Sequence, residues 1–264
     1  MIFFDKLFAF LIILCYYNGY LRGTIMNFVS REHFDTYLRG LTYIGQGGQG
    51  ICYLNVKDKI VYKVFHEYFD YEDTNYTEYE ILRFSDIKNK TFLWPSDVIL
   101  VEGKIVGYTL PYKKAKNLCQ TNPLLINLNS LETSVKKVIR DISLLSDNGV
   151  TIYDLMYNTL YANGNMYVVD TLDFGERVSS IEENMKGLNA EIKLFLVDDY
   201  FNHFVDDNVI LKEMYYDSSV GGIEFMNEFR NKLSEYMGED IVTLNKAKSL
   251  VKKSIYRKYE RDIK

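Results

Sequence analysis

Apolar and polar positions alternate through two neighbouring stretches in the first third of the chain. Ile51 and Tyr53 open the first, which runs to Val56; Ile60-Val61-Tyr62-Lys63-Val64-Phe65 forms the second, after a polar turn at Lys57-Asp58-Lys59. Upstream, the mostly apolar Leu41-Thr42-Tyr43-Ile44 leads into Gly45-Gln46-Gly47-Gly48-Gln49-Gly50. The order predicts strand, glycine turn, strand, tight turn, strand. Val98–Leu100 and Lys104–Leu110 predict two further strands around a turn at Glu102-Gly103. Between these groups, Asp73-Thr74-Asn75 read as helix N-cap residues, with Asn75 and Glu78 at capping-box spacing. Glu78, Ile81 and Leu82 then share one helical face, while Glu80 falls on a solvated one.

The second half changes period. Leu131, Val135, Val138, Ile142 and Leu145 recur at intervals of three and four, which predicts a helix over 131–147 closed by Asn148-Gly149. The stretch Gly149–Asp170 then reads as a polar turn, a strand, a hairpin tip and a second strand. Leu188–Val205 and Gly222–Met237 read as helices, and Met226, Phe229 and Leu233 give the latter a core face. Asn245–Lys264 reads as a basic helix with Val251, Ile255 and Tyr259 on its apolar side. It either packs by that side or meets an anionic membrane or a partner. The apolar run at 7–17 is too short to span a bilayer comfortably. It has the length of a signal segment without a clear cleavage site. It otherwise reads as a peripheral anchor, or as part of an accessory extension preceding a functional start at Met26.

Composition narrows the choices. At 264 residues the chain can bury a core as one large domain or two lobes. A net charge of −5 supplies no basic field for nucleic acid. Cys15, Cys52 and Cys119 have no paired spacing, and His33, His66 and His203 are scattered, so neither a disulfide framework nor a zinc site is expected.

Two groups of residues carry candidate chemistry. Asp154, Asn158 and Asp170 stand at the margins of apolar runs. Two carboxylates and an amide suit a divalent metal such as Mg²⁺. Turn-forming Asp and Asn explain the same positions through local hydrogen bonds. The second group is the G-x-G-x-x-G of Gly45, Gly47 and Gly50, with Gly48 beside it. Glycines let a backbone approach phosphates closely. A dinucleotide-binding reading needs a helix after them, and a β pattern follows instead. Lys63 lies in an otherwise apolar strand, where a charge is costly unless paired. Glu78 is its candidate partner; a snorkelling lysine and a helix-dipole acid are the plainer alternatives.

Taken in order, these motifs resemble the protein-kinase-like family, in the manner of a divergent bacterial-type Ser/Thr protein kinase, over about residues 40–175. Gly45, Gly47 and Gly50 match the glycine-rich loop, with Cys52 where valine is usual. Lys63 matches the strand lysine on the α and β phosphates, and Glu78 the helix glutamate that pairs with it. Leu110-Pro111-Tyr112 resembles the hinge that meets adenine, and Val61 joins the nucleotide-binding candidates. Asp154 corresponds to the aspartate that orients the acceptor hydroxyl, Asn158 to the metal-binding asparagine and Asp170 to the metal-binding aspartate. The literal Asp173-Phe174-Gly175 follows three residues on, but Asp170 immediately follows its strand and is preferred.

Four features depart from the family pattern. Ile152-Tyr153 replace the usual His-Arg before Asp154. Met156 stands where a lysine is common. Asn158 comes one residue early, with Thr159 at the strict spacing. No Ala-Pro-Glu motif follows the short segment after Asp170.

The resemblance implies an α+β bilobal kinase-like fold. Residues 1–29 are an apolar extension, 30–113 a β-rich N-lobe and 114–264 a reduced helical C-lobe. It implies ATP and Mg as cofactors and phosphoryl transfer to Ser or Thr of a protein. The alternatives are a pseudokinase scaffold, or a small-molecule kinase similar to aminoglycoside phosphotransferases. The expected partners are ATP and a hydroxyl acceptor, without nucleic acid. The expected location is cytoplasmic, with residues 7–17 or the basic C-terminal helix as peripheral membrane contacts.

Overall fold

The structure, a computed structural model, describes residues 26–251 apart from 163 and 199. The apolar run at 7–17 and most of the basic C-terminal segment lie outside the described residues. The chain is mixed α+β, with a β-rich N-terminal sheet and a helical C-terminal part. It divides into two compact units. One holds the described residues up to Asp86 together with Trp94–Lys113; the other holds Ile87–Leu93 and the chain from Lys114 on.

The first unit is built on six strands: β1 (Met26–Phe28), β2 (Thr42–Gln46), β3 (Gly50–Asn55), β4 (Ile60–Phe65), β5 (Asp97–Val101) and β6 (Lys104–Pro111). Their order is β1-β5-β6-β4-β3-β2. Neighbours are antiparallel except β1, which lies parallel to β5. Central β4 is buried on both faces from Val61 to Phe65. That burial explains its unbroken apolar run, which a half-solvated strand would not need. On one face Tyr62 and Val64 meet Phe28, Phe34 and Leu38. The last two come from α1 (Arg31–Arg39), whose N-cap Ser30 accepts the His33 amide at 3.2 Å. Tyr68 of the short α2 (His66–Phe69) completes this core. Glu102 and Gly103, with φ of 54° and 77°, form the two-residue turn between β5 and β6.

The cap of α3 (Glu78–Leu82) corrects the sequence reading. Thr77, not Asn75, is the N-cap: its hydroxyl accepts the Glu80 amide at 3.2 Å, and the Glu80 carboxylate accepts the Thr77 amide at 2.7 Å. Thr-x-x-Glu satisfies two orphan donors at once, which the Asn75–Glu78 pair would do less well. Glu80, assigned above only to solvent, therefore has a structural job.

The second unit centres on α4 (Leu128–Asp147), capped by Asn127. The helix begins three residues before its apolar period becomes legible, because Leu128 is itself buried. Gly149, at φ 73°, turns the chain out of it. Two small sheets follow. One is ordered β10-β9-β7, from β7 (Lys116–Asn117), β9 (Thr159–Ala162) and β10 (Asn165–Val168); the other pairs β8 (Val150–Thr151) with β11 (Gly175–Glu176).

Among the described residues four helices follow: α5 (Ile181–Val197), α6 (Asn202–Asp206), α7 (Val209–Tyr216) and α8 (Gly222–Met237). The expected single helix over 188–205 is therefore two. Ser180 caps α5 well upstream, accepting the Glu183 amide at 3.1 Å, and the chain turns at Tyr200-Phe201 before α6. The expected α8 stripe is buried at Met226, Phe229 and Leu233. The regular basic helix expected from Asn245 is not formed over its described part. Leu244–Leu250 is a 3-10 turn broken at Ala247, with Leu244 and Ala247 buried. Among the described residues no helix is long and apolar enough to cross a membrane.

Candidate functional site

In the first unit the glycine loop is the tip of the β2–β3 hairpin. The Gly47 amide bonds the Gly50 carbonyl at 3.0 Å, and the His66 ring lies 2.8 Å from the Gly47 carbonyl. The glycines divide by role. A Cβ at Gly47 or Gly48 would meet nothing, whereas one at Gly50 would collide with the Val64 carbonyl of β4. Gly107 on β6 meets the Lys63 carbonyl from the other side. Gly50 and Gly107 therefore let two strands close on β4 around Lys63, while the space beside Gly47 and Gly48 is open.

Antiparallel register gathers most of the predicted nucleotide-site residues on one face. Cys52 lies opposite Lys63, and Val61 opposite Leu110; paired residues share a face, as do alternate residues of a strand. Lys63 is only 7% exposed. Its Nζ donates to Gln49 Oε1 at 2.8 Å and lies 5.7 Å from the Tyr108 ring centroid. Glu78 is the exposed first residue of α3. Burial, and then the Glu78 charge, raise the Asp97 carboxyl above its usual value. The Tyr112 amide donates to the Lys59 carbonyl at 2.9 Å, tying the end of β6 to the β3–β4 turn.

In the second unit the three residues singled out in the 149–170 stretch come together through the backbone. Asn158 Nδ2 donates to the Asp154 carbonyl at 2.7 Å, and the Asn158 carbonyl accepts the Val169 amide at 3.0 Å. Asp154 and Asp170 both sit in left-handed backbone, at φ 46° and 60°, and Tyr157 between them at 69°. Such conformations cost energy and persist where the surroundings over-determine them. Asp154 is exposed, Asn158 and Asp170 half-buried. Asp173 is fully on the surface side, flanked by buried Leu172 and Phe174. Thr159, the alternative at strict spacing, turns inward and donates to Glu191 Oε1 at 2.7 Å.

Three supports, the buried Asn184 and Glu191 and the half-buried Asp141, fix this loop, none legible in the sequence. Asn184, 1% exposed on α5, accepts the Ile152 amide and donates to the Val150 carbonyl and Ser146 Oγ, each at 2.8 Å. Asp141 on α4 accepts the amides of Lys90 and Thr91 at 2.9 and 2.8 Å. It thereby holds the segment whose Thr91 carbonyl and Leu93 amide bracket Val168 at 2.8 and 2.9 Å, two residues before Asp170. Glu191, 1% exposed on α5, accepts from Thr159, from Cys119 at 3.7 Å and from the Tyr157 amide. Burial pushes its carboxyl up to about 7. In sequence Asn184 falls ahead of the helix expected from Leu188 and Glu191 is one polar position within it, so nothing marks either.

Among the described residues no cluster of three or more His, Cys, Asp or Glu is placed to hold a metal ion. Compared with models of known families and with curated proteins, the chain matches none.

Proposed function

We propose that the protein is an ATP- and Mg²⁺-dependent phosphotransferase of the protein-kinase-like fold, acting on a hydroxyl acceptor. The observation that carries this reading is the convergence of Asp154, Asn158 and Asp170, held by Asn158 bonding to Asp154 and to Val169. A plain solvated turn would not call for Tyr157 in left-handed backbone above the buried Glu191.

The donor chemistry fits magnesium. Asp170 offers a half-buried carboxylate, and Asn158, whose Nδ2 is engaged, keeps Oδ1 for a cation. Mg²⁺ asks for one or two such oxygens and fills its shell with water and phosphate. When bound it would neutralise phosphate charge. The chain's own residues do the remainder. At Gly47 and Gly48, where a Cβ would meet nothing, the loop backbone can be approached closely by phosphate, and Lys63 exchanges its bond to Gln49 for phosphate oxygens. Asp154, exposed and rigidly placed, orients the acceptor hydroxyl and takes its proton.

A protein Ser or Thr is the leading acceptor. A small alcohol-bearing acceptor is the second reading, favoured by one feature. The segment after Asp170 is drawn back at once by β11 pairing with β8, and Thr151 Oγ1 donates to the Arg177 carbonyl at 2.7 Å. That leaves little chain to grip a polypeptide. The test is transfer from γ-labelled ATP with magnesium, offered to a generic protein acceptor and to a panel of small alcohols. Label on either supports the reading and chooses the acceptor; label on neither, with the protein folded, overturns it.

A further inference from the structure

Resting on that reading, we propose that Glu191 is a positioning residue: from the buried middle of α5 it holds the loop 154–159 in the conformation that presents Asp154 and Asn158. The carboxyl reaches the loop at two points, the Tyr157 amide and the Thr159 hydroxyl, and touches Cys119 in the 3-10 turn Leu118–Gln120. Its second oxygen, Oε2, is buried without a hydrogen-bond partner. A residue that merely filled this space would be apolar, because a buried acid with an unmet oxygen is costly. What Glu191 provides instead is an acceptor beneath a strained backbone. Tyr157, at φ 69°, is held through both of its backbone polar groups: its amide by Glu191, its carbonyl by Asn117 Nδ2 at 2.6 Å.

Glu191 differs from the other supports in that it titrates. Asn117 and Asn184 are amides. The titratable group facing Glu191 from the 3-10 turn is the Cys119 thiol; β9 contributes the Thr159 hydroxyl and the loop the Tyr157 amide. Lys193, further along α5, is committed to the carbonyls of Met214 and Asp217, each at 2.7 Å. With the loop closed the carboxyl keeps its proton up to about pH 7. With the loop open it regains water and the ordinary acidity of a glutamate. Opening is therefore easier as pH rises, by about tenfold per unit until the closed-state value is reached.

The experiment is hydrogen exchange of the peptide covering 154–160, corrected for intrinsic rates. It compares the wild-type chain, Glu191→Gln and Glu191→Leu, with phosphate transfer from ATP measured alongside. Wild-type protection should fall by up to about a hundredfold from pH 5 to pH 7 and level off above. Glu191→Gln, which keeps the acceptor oxygen and cannot ionise, should show no such fall. Glu191→Leu should leave α4 and α8 protected while the loop exchanges at least about tenfold faster. Its kcat should drop, with glutamine recovering most of the loss. Equal pH dependence in wild type and Glu191→Gln, or an undisturbed loop in a folded Glu191→Leu, overturns the proposal. If Glu191→Leu does not fold, the glutamine comparison decides alone. A loop that titrates as expected in a chain that transfers no phosphate supports the role of Glu191 and sinks the phosphotransfer reading separately.

Discussion

The side-chain amide of Asn158 donates to the backbone carbonyl of Asp154 at 2.7 Å, closing the turn that carries the exposed Asp154. Under the proposed function, the bond lets Asn158 act one residue earlier than the spacing of the family its motif resembles. The shortened loop is taken up by left-handed residues at Asp154 and Tyr157, and Thr159, at the usual spacing, is spent on Glu191. Replacing Asn158 by Ala should remove the turn bond and, under the proposed function, a metal oxygen. We expect the magnesium concentration needed for half-maximal transfer to rise, with a loss of about 1 kcal/mol in stability. Titration of activity with magnesium and a urea melt check the two effects.

The glycines make a sharper contrast. Gly50→Ala and Gly107→Ala each force a Cβ onto the backbone of β4 and should cost roughly 1–3 kcal/mol. Gly47→Ala and Gly48→Ala meet open space, so their melting temperatures should stay near wild type while ATP affinity falls. Thermal melts with and without MgATP separate the classes. Equal destabilisation by Gly47→Ala and Gly50→Ala would contradict the division of roles.

Asn184 is satisfied on every side: it accepts from Ile152 and donates to Val150 and Ser146. Truncation to Ala strands a buried amide and a buried carbonyl next to the loop and should cost about 2–4 kcal/mol. A shift in the urea midpoint at unchanged slope is the expected signature.

The pH dependence of stability follows from Glu191. Its carboxyl is raised from the usual 4.5 to about 7 by burial. Below the lower value both folded and unfolded chains hold the proton, and the contribution is whole. As pH climbs to about 7 the unfolded chain ionises first, so stability is lost, by about 3 kcal/mol in all. Glu191→Gln should flatten this slope in urea melts across pH 4 to 8. A wild-type chain that gains stability over that window through this residue would carry the wrong sign.

The elements that make contact with their sequence neighbours were the readable ones. The β2–β3–β4 meander showed itself through alternation and turns, and α4 and α8 through apolar stripes that are buried. Asp154, Asn158 and Asp170 were also legible, since polar residues at strand margins stand out. The supports were not. Asp141, Asn184 and Glu191 act through partners about 30 to 50 positions away, and a single buried acid on a helix looks like any solvated one. The break between α5 and α6 escaped because apolar residues continue through Tyr200-Phe201, where tertiary burial and not helical period is responsible. The α3 cap is hard to place in sequence because Asp73, Thr74, Asn75 and Thr77 stand close together and only the Thr77–Glu80 pair closes reciprocally.

The central claim is tested most directly by transfer from γ-labelled ATP in the wild-type chain and in Asp154→Asn, Asp170→Asn and Asp173→Asn. Phosphotransfer through this loop predicts losses of about 10²- to 10⁴-fold for Asp154→Asn, with a comparable collapse for Asp170→Asn. Exposed Asp173 should be close to indifferent. Full transfer surviving Asp154→Asn and Asp170→Asn, or a collapse with Asp173→Asn alone, would contradict the account.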